Sequence, residues 1–150
     1  MRLGFIILAH KDLHRVTELA MFLSKSDCPV GLHIDQNADP AAYTKLLKDL
    51  SAFDNVHFAK REKCGWGQFS IVKATLNAAE ALFEHHDDLD RVFLASGSCL
   101  PARPLKQLKA FLARHPNVDF IESFSPSDAK WVKDGLDRER FTLFFPLSWR

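Results

Sequence analysis

The groups in this sequence best suited to hold or transform a polar ligand are His10, Asp35, Arg61, Trp66 with Gly67, the turn Ser96-Gly97-Ser98, and Glu122. Asp35 directly follows the apolar run Val30-Gly31-Leu32-His33-Ile34. A carboxylate at such a strand end can accept hydrogen bonds from a ring N–H or from ribose hydroxyls, or simply close a turn. Arg61 stands in the run Lys60-Arg61-Glu62-Lys63. Its planar fork suits the paired acceptors of a base or a phosphate. Charge runs are also ordinary solvated surface, and that is the reading preferred for Lys63.

Trp66 lies between Gly65 and Gly67, which let the backbone turn tightly and let a ligand approach. Its indole can pack on a ring and offer an N–H, or plug the end of a sheet. The hydroxyls and N–H groups of Ser96-Gly97-Ser98 can bind a ligand but cannot cage a hard cation, so no metal is expected there. A plain turn is the alternative. His10 follows the first apolar run and could reach a ligand through its ring or its backbone. Glu122 closes another apolar run and is a candidate base. Cys99 follows the serine turn, but no partner histidine is assignable, so a cysteine nucleophile is disfavoured. His85-His86-Asp87-Asp88 falls at a helix end, where histidines complement the dipole, and reads as solvated surface.

These residues need elements that bring them together. Leu3–Ala9 is nearly continuous in apolar residues, as in a strand buried on both faces. Asp12 can cap a helix whose inner face is Val16, Leu19, Phe22 and Leu23. A second strand spans Val30–Asp35. Asp39-Pro40 then reads as an N-cap with proline in the first helical position, before a stripe of Tyr43, Leu46, Leu47 and Leu50. A short third strand covers Val56–Ala59, and a loop from Arg61 to Gly67 leads into a helix from about Gln68 to His85. Phe69, Val72, Leu76, Ala79 and Phe83 are its expected apolar face. Arg91–Ala95 is a fourth strand, Pro104–Arg114 a helix with Leu105, Leu108, Phe111 and Leu112 inward, and Val118–Glu122 a fifth strand. After Ser123 the periodicity fails around Pro126 and Gly135, and Phe144-Phe145 offers the start of another strand.

Alternating strands and helices predict an α/β fold, a mainly parallel Rossmann-like sheet with helices on both faces. Ligands of such sheets bind beyond the carboxyl ends of the strands. That rule selects His10-Lys11, Asp35-Gln36, residues 60–67, 96–99 and Glu122-Ser123.

The 150 residues, 47% hydrophobic and 26% charged, fit one globular domain over residues 1–150. With 20 basic and 19 acidic residues the formal net charge is +1, which gives no general attraction to nucleic acid or anionic lipid. The 13 phenylalanines are expected mostly in the core. Three cysteines without a CxxC pair make neither a disulfide framework nor a zinc site and suggest a reducing compartment. The first apolar run is too short for a signal peptide or a transmembrane helix, so a cytoplasmic, bacterial-type location is expected.

Several of these segments together resemble the core-2/I-branching family, which includes β-1,6-N-acetylglucosaminyltransferases and peptide O-xylosyltransferases. They are Ile7-Leu8-Ala9-His10-Lys11, His33-Ile34-Asp35, Lys60-Arg61-Glu62 with Gly65-Trp66-Gly67-Gln68-Phe69-Ser70-Ile71-Val72, residues 94–101 around Ser96-Gly97-Ser98, and Phe120-Ile121-Glu122. The likeness covers roughly Leu3 to Glu122. It implies a GT-A-like N-terminal part that binds a UDP-sugar through His10, Asp35, Arg61, Trp66, Gly67, Ser96, Gly97 and Ser98. It also implies inverting transfer of GlcNAc or xylose to a saccharide or protein hydroxyl, with no obligatory metal or other cofactor. Two departures stand out. Cys99 replaces the aspartate usual after Ser-Gly-Ser. The family's general base and basic diphosphate-binding residues belong to a later segment, which the resemblance places after Trp149-Arg150. A binding module without the catalytic base is therefore the alternative function. Animal members of the family are Golgi membrane proteins.

Overall fold

The structure is a computed structural model and describes residues 1–120 and Ser123. The elements are β1 (Leu3–Ala9), α1 (Leu13–Lys25), β2 (Val30–Ile34), α2 (Pro40–Leu50), β3 (Val56–Phe58), α3 (Ser70–Phe83), β4 (Arg91–Ser96) and α4 (Leu105–Ala113). The chain divides into two compact units, residues 1–116 and 117–150, where the sequence predicts one domain. Of the second unit, residues 117–120 and Ser123 are described and carry no helix or strand. Val118–Phe120 is thus not a strand, and the rest of the expected fifth strand, like Phe144-Phe145, lies outside the described residues.

The four described strands form one parallel sheet in the order β3-β2-β1-β4. Ala9 pairs with Ile34, and Leu8 pairs with both His33 and Ser96. The chain moves outward from β1 through β2 to β3, then returns across the sheet to β4. Right-handed crossovers in opposite directions put their helices on opposite faces. Accordingly α1 and α2 pack together on one face, in the core of Leu3, Ile7, Val16, Leu23, Leu32 and Leu46. Helix α3 covers the other face, against Ile6 and Ala59. The reversal beside β1 makes the C-terminal ends of β1, β2 and β4 the natural crevice. β1 is buried almost throughout, as predicted, and so is β2, whereas β4 is half-exposed.

Helix α2 is capped as the sequence predicts: Asp39 accepts from the Ala42 N–H at 2.7 Å and Pro40 opens the helix. Asp12 holds the N-cap position of α1 differently. Its φ is 52° and its side chain makes no cap bond; its carbonyl oxygen instead accepts from Arg15 and Val16.

The expected face of α3 is corrected. Phe69, Val72, Leu76 and Phe83 are exposed, and the buried residues are Ala74, Ala78 and Leu82. Backbone proximity explains the rotation. A Cβ on Gly31 would lie 2.2 Å from the Ala78 carbonyl oxygen, so only small residues fit where α3 crosses β2. The expectation that most phenylalanines are core fails for the same helix and beyond it. Phe5 is buried, whereas Phe22, Phe69, Phe83, Phe111 and Phe120 are exposed.

Candidate functional site

Successive strand residues point to opposite faces. Leu8 with His10, and His33 with Asp35, therefore share the α3 face at the carboxyl edge. They line a cleft of about 420 Å³ together with Ala9, Asn37, Cys64, Gly65, Trp66, Ile71 and Ala74. The floor is the end of β1 and β2, one wall is the start of α3, and the other is the loop that precedes it. The structure thus joins three predicted residues, His10, Asp35 and Trp66, in one cavity. Of the further lining residues, the sequence does not single out Asn37 or Ala74, and it marks His33, Cys64 and Ile71 only as members of longer segments. For His33 a signal existed: it stands two positions before Asp35 and so faces the same way.

The loop from residues 61 to 65 is stitched to the end of β2. His33 Nε2 accepts from the Glu62 N–H at 2.9 Å, and Asp35 Oδ2 accepts from the Cys64 N–H at 3.0 Å. Asp35 Oδ1 accepts from the Asn37 N–H at 2.7 Å. Gln36 N–H donates to the Glu62 carbonyl at 3.0 Å, and the Gln36 amide donates to the Arg61 carbonyl at 3.0 Å. The Ser70 hydroxyl accepts from Gly65 N–H at 3.0 Å, which ties the loop to α3. Glu62 pairs with Lys73 at 3.0 Å and accepts from Asn77 at 3.0 Å.

Burial raises the Asp35 carboxyl, but the Asn37 and Cys64 N–H donors outweigh it and hold the group below its ordinary value of 3.8. The Cys64 thiol is pushed up to about 11, first by burial and then by its neighbour Asp35, so it is protonated and unreactive at neutral pH. Burial lowers His33 despite the nearby carboxylates of Asp35 and Glu62.

Trp66 is 98% exposed at the mouth of the cleft, followed by Gly67 at φ 69°, the left-handed region that glycine alone enters freely. Arg61 points elsewhere. Its Nε donates to the Ile34 carbonyl at 2.9 Å and its Nη2 to the Asp35 carbonyl at 2.6 Å, while the guanidinium lies 3.9 Å from the Tyr43 ring centroid. It does not line the cleft. Lys63 is exposed, as predicted.

Ser96 reaches the same rim, because it and His33 flank Leu8 from opposite sides. Two inter-strand steps, about 10 Å, separate the two strands. The serine turn does not line this cleft. The Ser96 hydroxyl lies 3.4 Å from Cys99 Sγ and accepts from the Ser98 N–H at 3.3 Å. A Cβ on Gly97 would lie 2.9 Å from that of Ala9 and 2.7 Å from Val16, so this glycine lets the turn close on β1 and α1. Glu122 lies outside the described residues.

The His85-His86 pair is not simply solvated. His57, from β3, stacks on His85 with ring centroids 4.1 Å apart and meets His86 Nε2 at 2.9 Å. Arg2 reaches His86 Nδ1 at 3.3 Å and pairs with Asp88. Among the described residues no group of three or more His, Cys, Asp or Glu side chains is placed to hold a metal ion. No helix among them is long and apolar enough to cross a membrane.

Xylosyltransferase oxt of Drosophila melanogaster is 30% identical over 140 residues, 91% of this chain and 16% of that protein. Xylosyltransferase 1 of Rattus norvegicus is 26% identical over 141 residues, covering 91% of this chain and 17% of that protein. The human Xylosyltransferase 1 is likewise 26% identical, over 15% of its length. The chain therefore spans about a sixth of the length of these relatives. Residues 3–148 match the family model described as Core-2/I-Branching enzyme, on a parallel sheet whose carboxyl edge carries the cleft. The chain belongs to the Core-2/I-Branching enzyme family.

Proposed function

We propose that the chain is the donor-binding part of an inverting glycosyltransferase. It would pass xylose or N-acetylglucosamine from a UDP-sugar to a saccharide or protein hydroxyl without an obligatory metal. The observation that carries this reading is the convergence of His10, Asp35 and Trp66 on one cleft at the carboxyl edge of the sheet. The Asp35 carboxylate faces the cleft, where it can accept a base N–H or a ribose hydroxyl beside the Asn37 and Cys64 N–H groups it already holds. The exposed indole of Trp66 offers a stacking face. The first turns of α3 line the cleft through Ile71 and Ala74, and the positive end of a helix favours a diphosphate. Relatives named xylosyltransferases favour xylose among the donors.

Metal independence rests on the donor groups at the end of β4: serine hydroxyls and amide N–H groups instead of carboxylates. Glu122 is retained as a candidate base for the acceptor hydroxyl. Unchanged turnover in Glu122→Gln, with UDP-sugar binding intact, removes it. Free thiols at Cys28, Cys64 and Cys99 fit a reducing compartment such as the cytoplasm.

Calorimetry with UDP, in the presence and absence of a chelator, tests the reading. Saturable heat unaffected by the chelator and weakened by Asp35→Ala supports it; no heat and no thermal shift at millimolar UDP ends it. One observation favours a second reading, binding without turnover. Among the described residues Asp35 is the only carboxylate lining the cleft, and both its oxygens hold the scaffold. UDP-sugar hydrolysis or transfer by the chain alone separates the two readings.

A further inference from the structure

We propose that His33 is a positioning residue: its neutral ring holds the loop bearing Trp66, and this makes nucleotide-sugar binding in the cleft acid-sensitive. The inference rests on the donor-binding reading of that cleft. Its structural basis is a two-rung ladder made by side chains. β2 pairs with β3 through backbone bonds only as far as Leu32, whose carbonyl accepts from Ala59 at 2.9 Å. Beyond it the strand ladder stops, one backbone bond runs from Gln36 N–H to the Glu62 carbonyl at 3.0 Å, and the side chains of His33 and Asp35 reach across to the N–H groups of Glu62 and Cys64. The spacing is two residues on both sides, and the next residues of the loop are Gly65 and Trp66, which form the mouth of the cleft.

A backbone N–H can only donate, so His33 Nε2 must present its lone pair and the ring proton must sit on Nδ1. His33 is 1% exposed, so water does not readily replace the bond. Protonation would set an Nε2–H against the Glu62 N–H and put a charge where solvent does not reach. The loop must then let go of the first rung. The second rung at Asp35 keeps its acceptor, so the result is a displaced Trp66 loop and weaker binding, not unfolding.

The charged groups facing the ring are Asp35 on the same strand and Glu62 and Arg61 on the loop. Around the cleft α3 presents Ala74 and Ile71, and β1 presents Leu8, none of which titrates. His10 stands at the end of β1 in the same cleft and needs its own control.

The probe is UDP-xylose, whose diphosphate is esterified at both ends and stays fully ionised at neutral and mildly acid pH. Titration calorimetry between about pH 8 and about pH 5.5 should show affinity falling about fivefold or more, the equivalent of one net hydrogen bond. His33→Gln, whose amide oxygen can accept from Glu62 without titrating, should flatten that fall. His33→Leu should bind weakly at every pH, and His10→Gln should retain the acid slope. A flat wild-type profile, or an unchanged slope in His33→Gln, overturns the inference. If UDP-xylose does not bind even at about pH 8, the donor-binding reading fails instead. The Glu62 and Gly65 amide resonances then decide the role of His33 without ligand. They should move with pH in the wild type and stay in His33→Gln; resonances that titrate alike in both overturn it.

Discussion

The Arg61 guanidinium lies 3.9 Å from the Tyr43 ring centroid and donates to the carbonyls of Ile34 and Asp35. It joins α2, the end of β2 and the cleft loop. Arg61→Ala should therefore lower stability, by about 1–3 kcal/mol in urea unfolding, since both carbonyls lose a charged donor. Arg61→Lys should recover only part, because an ammonium cannot supply the planar fork. If Arg61→Ala keeps full stability and loses ligand affinity alone, the guanidinium serves the ligand after all.

Trp66 should behave in the opposite way. With 98% of the side chain exposed, Trp66→Ala should leave the unfolding midpoint within about 0.5 kcal/mol of wild type. Nucleotide affinity should fall by about 1–3 kcal/mol, the range for an aromatic that stacks on a base. Calorimetry beside urea unfolding checks both halves.

At the other end of the sheet, His57 and His86 fix each other's protons. Arginine only donates, so His86 accepts at Nδ1 and carries its proton on Nε2, which it gives to His57 Nε2. Burial, then the neighbouring His85 and His86, lower His57 from 6.5 to about 4. The unfolded chain thus binds a proton that the folded chain refuses between these values. Stability should be full above pH 6.5 and decline as the pH falls toward 4. Because the ring is partly solvated, the loss should be on the order of 1 kcal/mol. His57→Gln should flatten that arm of a pH series of urea unfolding curves.

Gly31→Ala should be costly. The added methyl would lie 2.2 Å from the Ala78 carbonyl oxygen and 3.0 Å from the Leu82 Cβ, and backbone cannot step aside cheaply. A loss of about 2–4 kcal/mol is expected, with a lower melting temperature as the readout. A mild effect would mean that α3 slides freely over β2.

Much of this fold is legible in the sequence because its strands are continuous apolar runs and its second helix carries a side-chain cap. Asp39-Pro40 marks α2, and β1 and β2 are buried almost end to end. The inner face of α3 is not legible. Hydrophobicity ranks Phe69, Val72 and Leu76 above Ala74 and Ala78, whereas the close approach at Gly31 selects the smaller set. At the cleft, the strand-end rule finds His10, Asp35 and Trp66. It cannot tell which polar groups face a ligand and which are consumed by the scaffold, so Arg61 reads as a ligand contact. The two-residue offset from Asp35 puts His33 on the cleft face, but its role stays hidden because it depends on a loop 29 residues away.

The central place of β1 also sets an order of assembly. Its partner β2 begins at Val30, but its other partner β4 begins only at Arg91. During synthesis β1, α1, β2, α2 and β3 can settle as a local unit, and the described residues that line the cleft are all present once the chain has passed Ala74. Docking of β4 closes a much longer loop and comes late. Until then β1 has an open flank, the interval in which a nascent chain is most exposed to self-association.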